Sequence, residues 1–199
     1  VTLVDLDPAI TNLAKNLSIL AELNENSLKD KRVNVINADA FVWLDQNKIK
    51  PFDVAIIDFP DPNNFALGKL YSTRFYNLLK TKLKPDSSIG IQSTSPLYAR
   101  NSYWCIVQTL EAAGFKTKPY QTTVPSFGIW GYVLAKQNNF EKPSKIPEIL
   151  DLKFLDSDSM IAMFDFPVDT SRPKEQLEIN RLDNQSLVRY YEAEWRRFE

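Results

Sequence analysis

Two carboxylates, Asp58 and Asp61, stand three residues apart in the stretch IIDFPDP (residues 56–62), where an apolar run ends in acids set among prolines. Two acids in one partly desolvated crevice suit a general base, and they can also hold a cationic substrate. An amine nucleophile makes both demands, because it arrives charged and must lose a proton before it attacks. The plainer alternative is a solvated turn rich in Asp, Pro and Asn. Asp5 ends an earlier apolar run, where a carboxylate can accept both hydroxyls of a ribose; capping the next helix is the other reading for Asp5 and for Asp7. Asp39 follows a third such run and could take the exocyclic amine of an adenine, or simply cap the helix after it.

Other chemistries are limited by what the chain lacks. It has 199 residues and no histidine, so Ser-His-Asp and Cys-His nucleophile systems and His-ligated metals are excluded. The single cysteine, Cys105, cannot close an intramolecular disulfide; it fits a reducing setting and reads as helix packing. A net charge of −1 with no long basic run argues against nucleic-acid binding. Small neutral or cationic ligands are the expected partners. No apolar run reaches the length of about 18 residues that a spanning helix needs, and the start lacks the features of a signal peptide. All five glycines lie after residue 67, so no Gly-rich phosphate loop precedes a helix, and a nucleoside suits the chain better than a nucleotide. Tyr71, Tyr76, Phe127 and Trp130 could wall a pocket or belong to the core.

These residues need elements to hold them. Thr2–Val4 reads as a strand, Asp7-Pro8 as a helix start, and the apolar residues from Ile10 to Leu23 as one helix. Val33–Ile36 with a short helix follows, then Val54–Ile57 with a helix capped by Ser72. A fourth strand in SIGIQST leads to a helix near Ala99–Ala113 that stops at Gly114. Two closing strands, Lys116–Gln121 and Ile129–Ala135, are too close for a crossover and should pair antiparallel. The alternation predicts an α/β fold with a doubly wound, mostly parallel sheet. Its ligands should lie beyond the carboxyl ends of the strands, where Asp5, Asp39, Asp58 and Gln92 sit. Residues 1–136 form the expected catalytic domain; 137–199 are read as a linker (KQNNFEKPSKIPE, 136–148), a short helix near Ser157–Phe164 and a last helix near Asn184–Arg197. That last helix should dock on the sheet or face a partner subunit.

Taken in order, TLVDLDP, NADAF, IIDFPDPNN, KLYSTRFY, QSTSP, AGF, VPSFGIWG and NRLDNQSLVRYYEAEW resemble the spermidine synthases, the polyamine aminopropyltransferases, from residue 1 to the C-terminus. The closest resemblance is to the variety whose catalytic domain follows an N-terminal membrane region. It implies a Rossmann-like fold shared with methyltransferases and transfer of an aminopropyl group from decarboxylated S-adenosylmethionine, a co-substrate, to putrescine or a related amine, with no prosthetic group. It places Asp5 on the ribose, Asp39 near the adenine, Asp58 as the base, Asp61 on the amine, and Gln92 and Tyr76 along the pocket. It leans towards a parent anchored at the cytoplasmic face of a membrane; the cytoplasmic setting itself is expected from the single cysteine, and a homodimer from the strand edges that a chain truncated at its start would expose.

Three departures from the family pattern stand out. The Gly-rich loop with its strand and helix is expected before Val1, because VTLVDLDP opens inside a strand-like run. A chain truncated there should expose strand edges, dimerise or be poorly stable, and the fragment alone should be inactive. Phe59 and Pro60 occupy positions that are commonly small and polar, and Phe127 replaces a tyrosine of the late VP motif. Competing readings are an S-adenosylmethionine-dependent methyltransferase, against which the DxxDP pair speaks, and a non-catalytic nucleoside- or polyamine-binding module.

Overall fold

The computed structural model describes residues 1–46, 48–147, 149–150 and 152–197. The final residue of the expected linker, 148, and the final two of the chain lie outside them. Two compact units make up the chain, Val1–Ile49 and Lys50–Glu199.

In the first unit, β1 (Thr2–Asp5) pairs in parallel with β2 (Asn34–Asn37), in the register Thr2↔Asn34 to Asp5↔Asn37. Asp7 caps α1 (Pro8–Asn16) by accepting the Ala9 amide at 2.8 Å, and Pro8 occupies the first turn, where no amide donor is needed. The single helix expected through Leu23 divides at Leu17, whose ψ of 120° is extended, and α2 (Ser18–Leu23) starts afresh. Asn16 and Ser18 flank the break, and both compete with the helix for backbone hydrogen bonds. After β2, α3 (Ala40–Gln46) completes the unit.

The second unit holds a four-stranded mixed sheet in the order β3-β4-β6-β5. β3 (Phe52–Ile57) runs parallel to β4 (Leu83–Gln92), with the register Ile57↔Ile91 at their carboxyl ends. β5 (Lys116–Val124) and β6 (Gly128–Lys136) form the expected antiparallel hairpin, and β6 is also antiparallel to β4. Among the described residues, parallel pairing is therefore confined to β1–β2 and β3–β4. Between β3 and β4 come α4 (Phe65–Gly68), a 3-10 turn at Lys69–Tyr71 and α5 (Thr73–Lys80), which Ser72 caps through the Phe75 amide at 3.3 Å.

α6 (Arg100–Ala112) follows β4 and ends in a Gly114 whose φ of +86° lies in the left-handed region, as a C′ glycine requires. It buries Tyr103, Ile106, Val107 and Leu110 completely, each burial contributing about 1.5–3 kcal/mol, against a core that includes Ile89, Ile91, Phe115 and Val133. Two further helices, α7 (Ser157–Ala162) and α8 (Ser186–Trp195), belong to the same unit. α8 docks on α6: the Glu194 carboxylate, 5% exposed, accepts the amides of Asn101 (2.6 Å) and Ser102 (3.0 Å) and the Ser102 hydroxyl (2.7 Å). A side chain from the last helix thus satisfies the first turn of another, which has no cap of its own. No helix among the described residues is long and apolar enough to cross a membrane.

Candidate active site

The carboxyl ends of β3 and β4 bring Asp58, Asp61 and Gln92 together. One step beyond the Ile57↔Ile91 pair lie Asp58 and Gln92, and Gln92 in turn pairs with Tyr132 on β6. Asp58 is exposed and makes no hydrogen bond or ion pair with the described residues. Burial, followed by the Asp58 charge, pushes the Tyr132 phenol above its ordinary range.

Asp61 has the opposite surroundings. Its Oδ1 accepts Gln92 Nε2 at 3.2 Å, and its Oδ2 accepts both Thr94 Oγ1 and the Tyr191 hydroxyl at 2.9 Å. Three donors suit an ionised carboxylate, which can only accept. The Tyr191 phenol is pushed up, first by burial and then by the Asp61 charge and the hydrogen bond to it.

The turn between the acids is fastened from beneath. The Tyr71 hydroxyl, fully buried, lies 3.1 Å from the Phe59 carbonyl oxygen, 3.2 Å from that of Pro60 and 3.3 Å from Gln92 Oε1, so its one proton is shared among them. Burial raises the Tyr71 phenol well above its ordinary range, with Tyr76 and the carboxylates of Asp61 and Asp58 adding to the effect. Phe59 packs edge-on against Tyr71 (6.1 Å) and Phe75 (5.5 Å). The aromatic residue that departs from the small polar pattern is thus an anchor that sets the turn into the core.

Thr94 reaches Asp61 from a left-handed backbone, φ 63°, which is costly for a β-branched residue. Its carbonyl accepts the Gly131 amide at 2.7 Å, while the Gly131 carbonyl accepts the Ser93 amide at 2.9 Å. A Cβ at Gly131 would collide with the Tyr103 ring and lie 2.8 Å from the Thr94 oxygen. β6 can approach this closely only through a glycine.

The other expected site residues have surroundings of their own. Tyr76 is fully buried on α5, in contact with Phe75; its hydroxyl has no hydrogen-bond partner among the described residues, and burial followed by Cys105 pushes it well above the ordinary tyrosine range. That is the core alternative rather than a pocket wall. Phe127 is 59% exposed in the β5–β6 turn, tilted against Trp130 at 5.2 Å. In the first unit, Asp5 Oδ1 accepts the Asp7 amide at 2.8 Å, and Asp39 Oδ1 accepts the amides of Phe41 (2.8 Å) and Val42 (3.3 Å). Asp5 is the last residue of β1 and Asp39 lies just past the carboxyl end of β2, its parallel partner; Asp39 also caps α3. Among the described residues, no group of three or more His, Cys, Asp or Glu side chains could hold a metal ion.

Two contributors have little or no signature in the sequence. Thr94 could be suspected from its place two residues after Gln92. Tyr191 is 130 positions from Asp61, and its aromatic, charged surroundings look like any docking helix.

Comparison with known proteins now bears on this geometry. Residues 1–144 match the spermine/spermidine synthase domain. The chain is 54% identical over 197 residues to a polyamine aminopropyltransferase of Leptospira interrogans, an alignment that covers 99% of this chain and 39% of that protein. It is 49% identical over 195 residues to polyamine aminopropyltransferase 2 of Ralstonia nicotianae, covering 98% of this chain and 38% of that protein. The chain therefore spans well under half the length of these relatives. A crystal structure of spermidine synthase in complex with the transition-state analogue AdoDATO shares the fold, with a TM-score of 0.68 at 24% identity over 83% of this chain and 58% of that one.

Proposed function

The chain belongs to the spermine/spermidine synthase family, and from that premise we propose that it carries the amine-activating part of an aminopropyltransferase. The observation that carries the reading is the contrast within the acid pair: Asp58 is exposed and has no partner among the described residues, while Asp61, three residues on, is held by three donors. An unpaired carboxylate is available to take a proton. A pinned one is suited to fixing a cationic chain.

In the proposed reaction, the neutral nitrogen of a primary amine such as putrescine attacks the propyl carbon bonded to the sulfonium of decarboxylated S-adenosylmethionine. The new C–N bond forms as the C–S bond breaks, and its electron pair stays on sulfur, leaving methylthioadenosine as a neutral thioether. Asp58 takes the proton that the attacking nitrogen sheds. Asp61 holds the remote ammonium, and orientation supplies much of the rate. Gln92 ties Asp61 to the Tyr71-anchored turn, and Asp5 and Asp39 are the proposed ribose and adenine contacts of the nucleoside.

The same reading takes the protein as a homodimer at the cytoplasmic face of a membrane, with residues 1–136 as the catalytic domain. The dimer is supported by β3, whose Val54 and Ile56 side chains are 57% and 77% exposed. Light scattering of the purified chain tests it. For the reaction, Asp58→Asn should lower kcat by about 10²–10⁴-fold, the usual loss on removing a general base, with methylthioadenosine affinity unchanged. An Asp58→Asn enzyme that keeps the wild-type kcat would refute Asp58 as the base.

A further inference from the structure

Resting on that reading, we infer that Tyr191 of the C-terminal helix is a positioning residue for the amine site: by holding Asp61 it makes the second acid selective for the length of an aliphatic diamine. Tyr191 lies outside the residues that match the family domain, 1–144. Its hydroxyl takes one acceptor position of Asp61, Thr94 and Gln92 take two more, and a carboxylate offers about four. One direction is left for an ammonium. With the turn between the acids anchored by Tyr71 and Phe59, that direction stands at a set reach from Asp58. A diamine whose two nitrogens match the reach can meet both carboxylates, and a longer or shorter one cannot.

The Tyr191 hydroxyl is not needed to dock α8. Docking is carried by the three Glu194 hydrogen bonds, by the Leu187 amide donating to Asn180 Oδ1 at 3.3 Å, and by burial of Leu187 and Val188. The phenol ring is placed independently, 5.8 Å from Trp195, which lies 6.0 Å from Tyr98. The hydroxyl is therefore free to serve Asp61.

The test compares 1,3-diaminopropane, putrescine and cadaverine as acceptors for the full chain. Tyr191→Phe keeps the ring and removes only the hydroxyl. It should raise KM for the preferred diamine about tenfold, the equivalent of one charge-assisted hydrogen bond, and should flatten the ratio of kcat/KM between diamines. Ser102→Ala, which loosens α8 away from Asp61, should lower the thermal midpoint and leave that ratio alone. The inference is overturned if Tyr191→Phe leaves KM and the ratio within about twofold of wild type, or if Ser102→Ala flattens the ratio equally. Absence of turnover by the wild-type chain is the inactivity expected of these residues alone and does not bear on the aminopropyltransferase reading. The contact is then judged without ligand, by 13C NMR of the tyrosine ring: the Cζ signal lost in Tyr191→Phe should shift in Asp61→Asn, and a signal that stays in place overturns the link.

Discussion

Asp58 and Asp61 have the same side chain, and their different surroundings decide what each can do. Among the described residues Asp58 meets no donor, whereas Asp61 is fixed by β4, by the loop after it and by α8. The loop contribution depends on Thr94, in a left-handed conformation, whose carbonyl accepts the Gly131 amide while the Gly131 carbonyl accepts that of Ser93. Gly131→Ala should therefore act at a distance. Its methyl group meets Tyr103 and the Thr94 carbonyl, both fully buried, and neither has room to retreat. A loss of about 1–3 kcal/mol is expected from such overpacking, read as a lower urea midpoint, together with a raised KM for the amine as Thr94 is displaced.

Among the elements, α6 and α8 depend on each other. α6 starts without a side-chain cap from its own sequence, and Glu194 supplies one from α8. Glu194→Ala removes three hydrogen bonds to a buried carboxylate and should cost about 3 kcal/mol in urea unfolding, with an unchanged m-value. Glu194→Gln, which keeps one acceptor oxygen, should cost less. Helix starts and stops such as Asp7-Pro8, Ser72 and Gly114 are legible in the sequence because capping acts over a few residues. The break at Leu17 is not, because the apolar spacing of the segment continues across it. The cap of α6 is not legible either, since its donor and acceptor are 92 residues apart.

Across the molecule, several groups favour their protonated form in the fold. Burial pushes the Cys105 thiol from its ordinary 9.0 up to about 12, and burial likewise raises the Tyr71, Tyr103 and Tyr191 phenols above 10.0. For such acids the unfolded chain releases its proton first, so above the unfolded value the native state binds more protons and stability falls as pH rises. The Cys105 contribution is fully present below pH 9.0 and is lost toward about pH 12; the tyrosine contributions begin to fall above pH 10.0. From these groups the thermal midpoint should be level from pH 7 to 8.5 and decline beyond. Cys105→Ala should shift the onset of that decline upward by about one pH unit, read by calorimetry at stepped pH.

The sequence by itself determined the alternation of strands and helices, the antiparallel closing hairpin, and the placing of Asp5, Asp39, Asp58 and Gln92 at or just past strand ends. Those features follow from side-chain period, turn chemistry and capping, all of which act between neighbours along the chain. Only the tertiary structure decided that Asp61 is pinned while Asp58 is free, that Tyr76 belongs to the core, and that Phe59 anchors the acid turn. It alone brought Tyr191 across 130 positions to the candidate site. The physical reason is that a carboxylate's role depends on which donors surround it. Those donors come from a strand, a strained loop and a distant helix whose meeting is set by packing of the shared core.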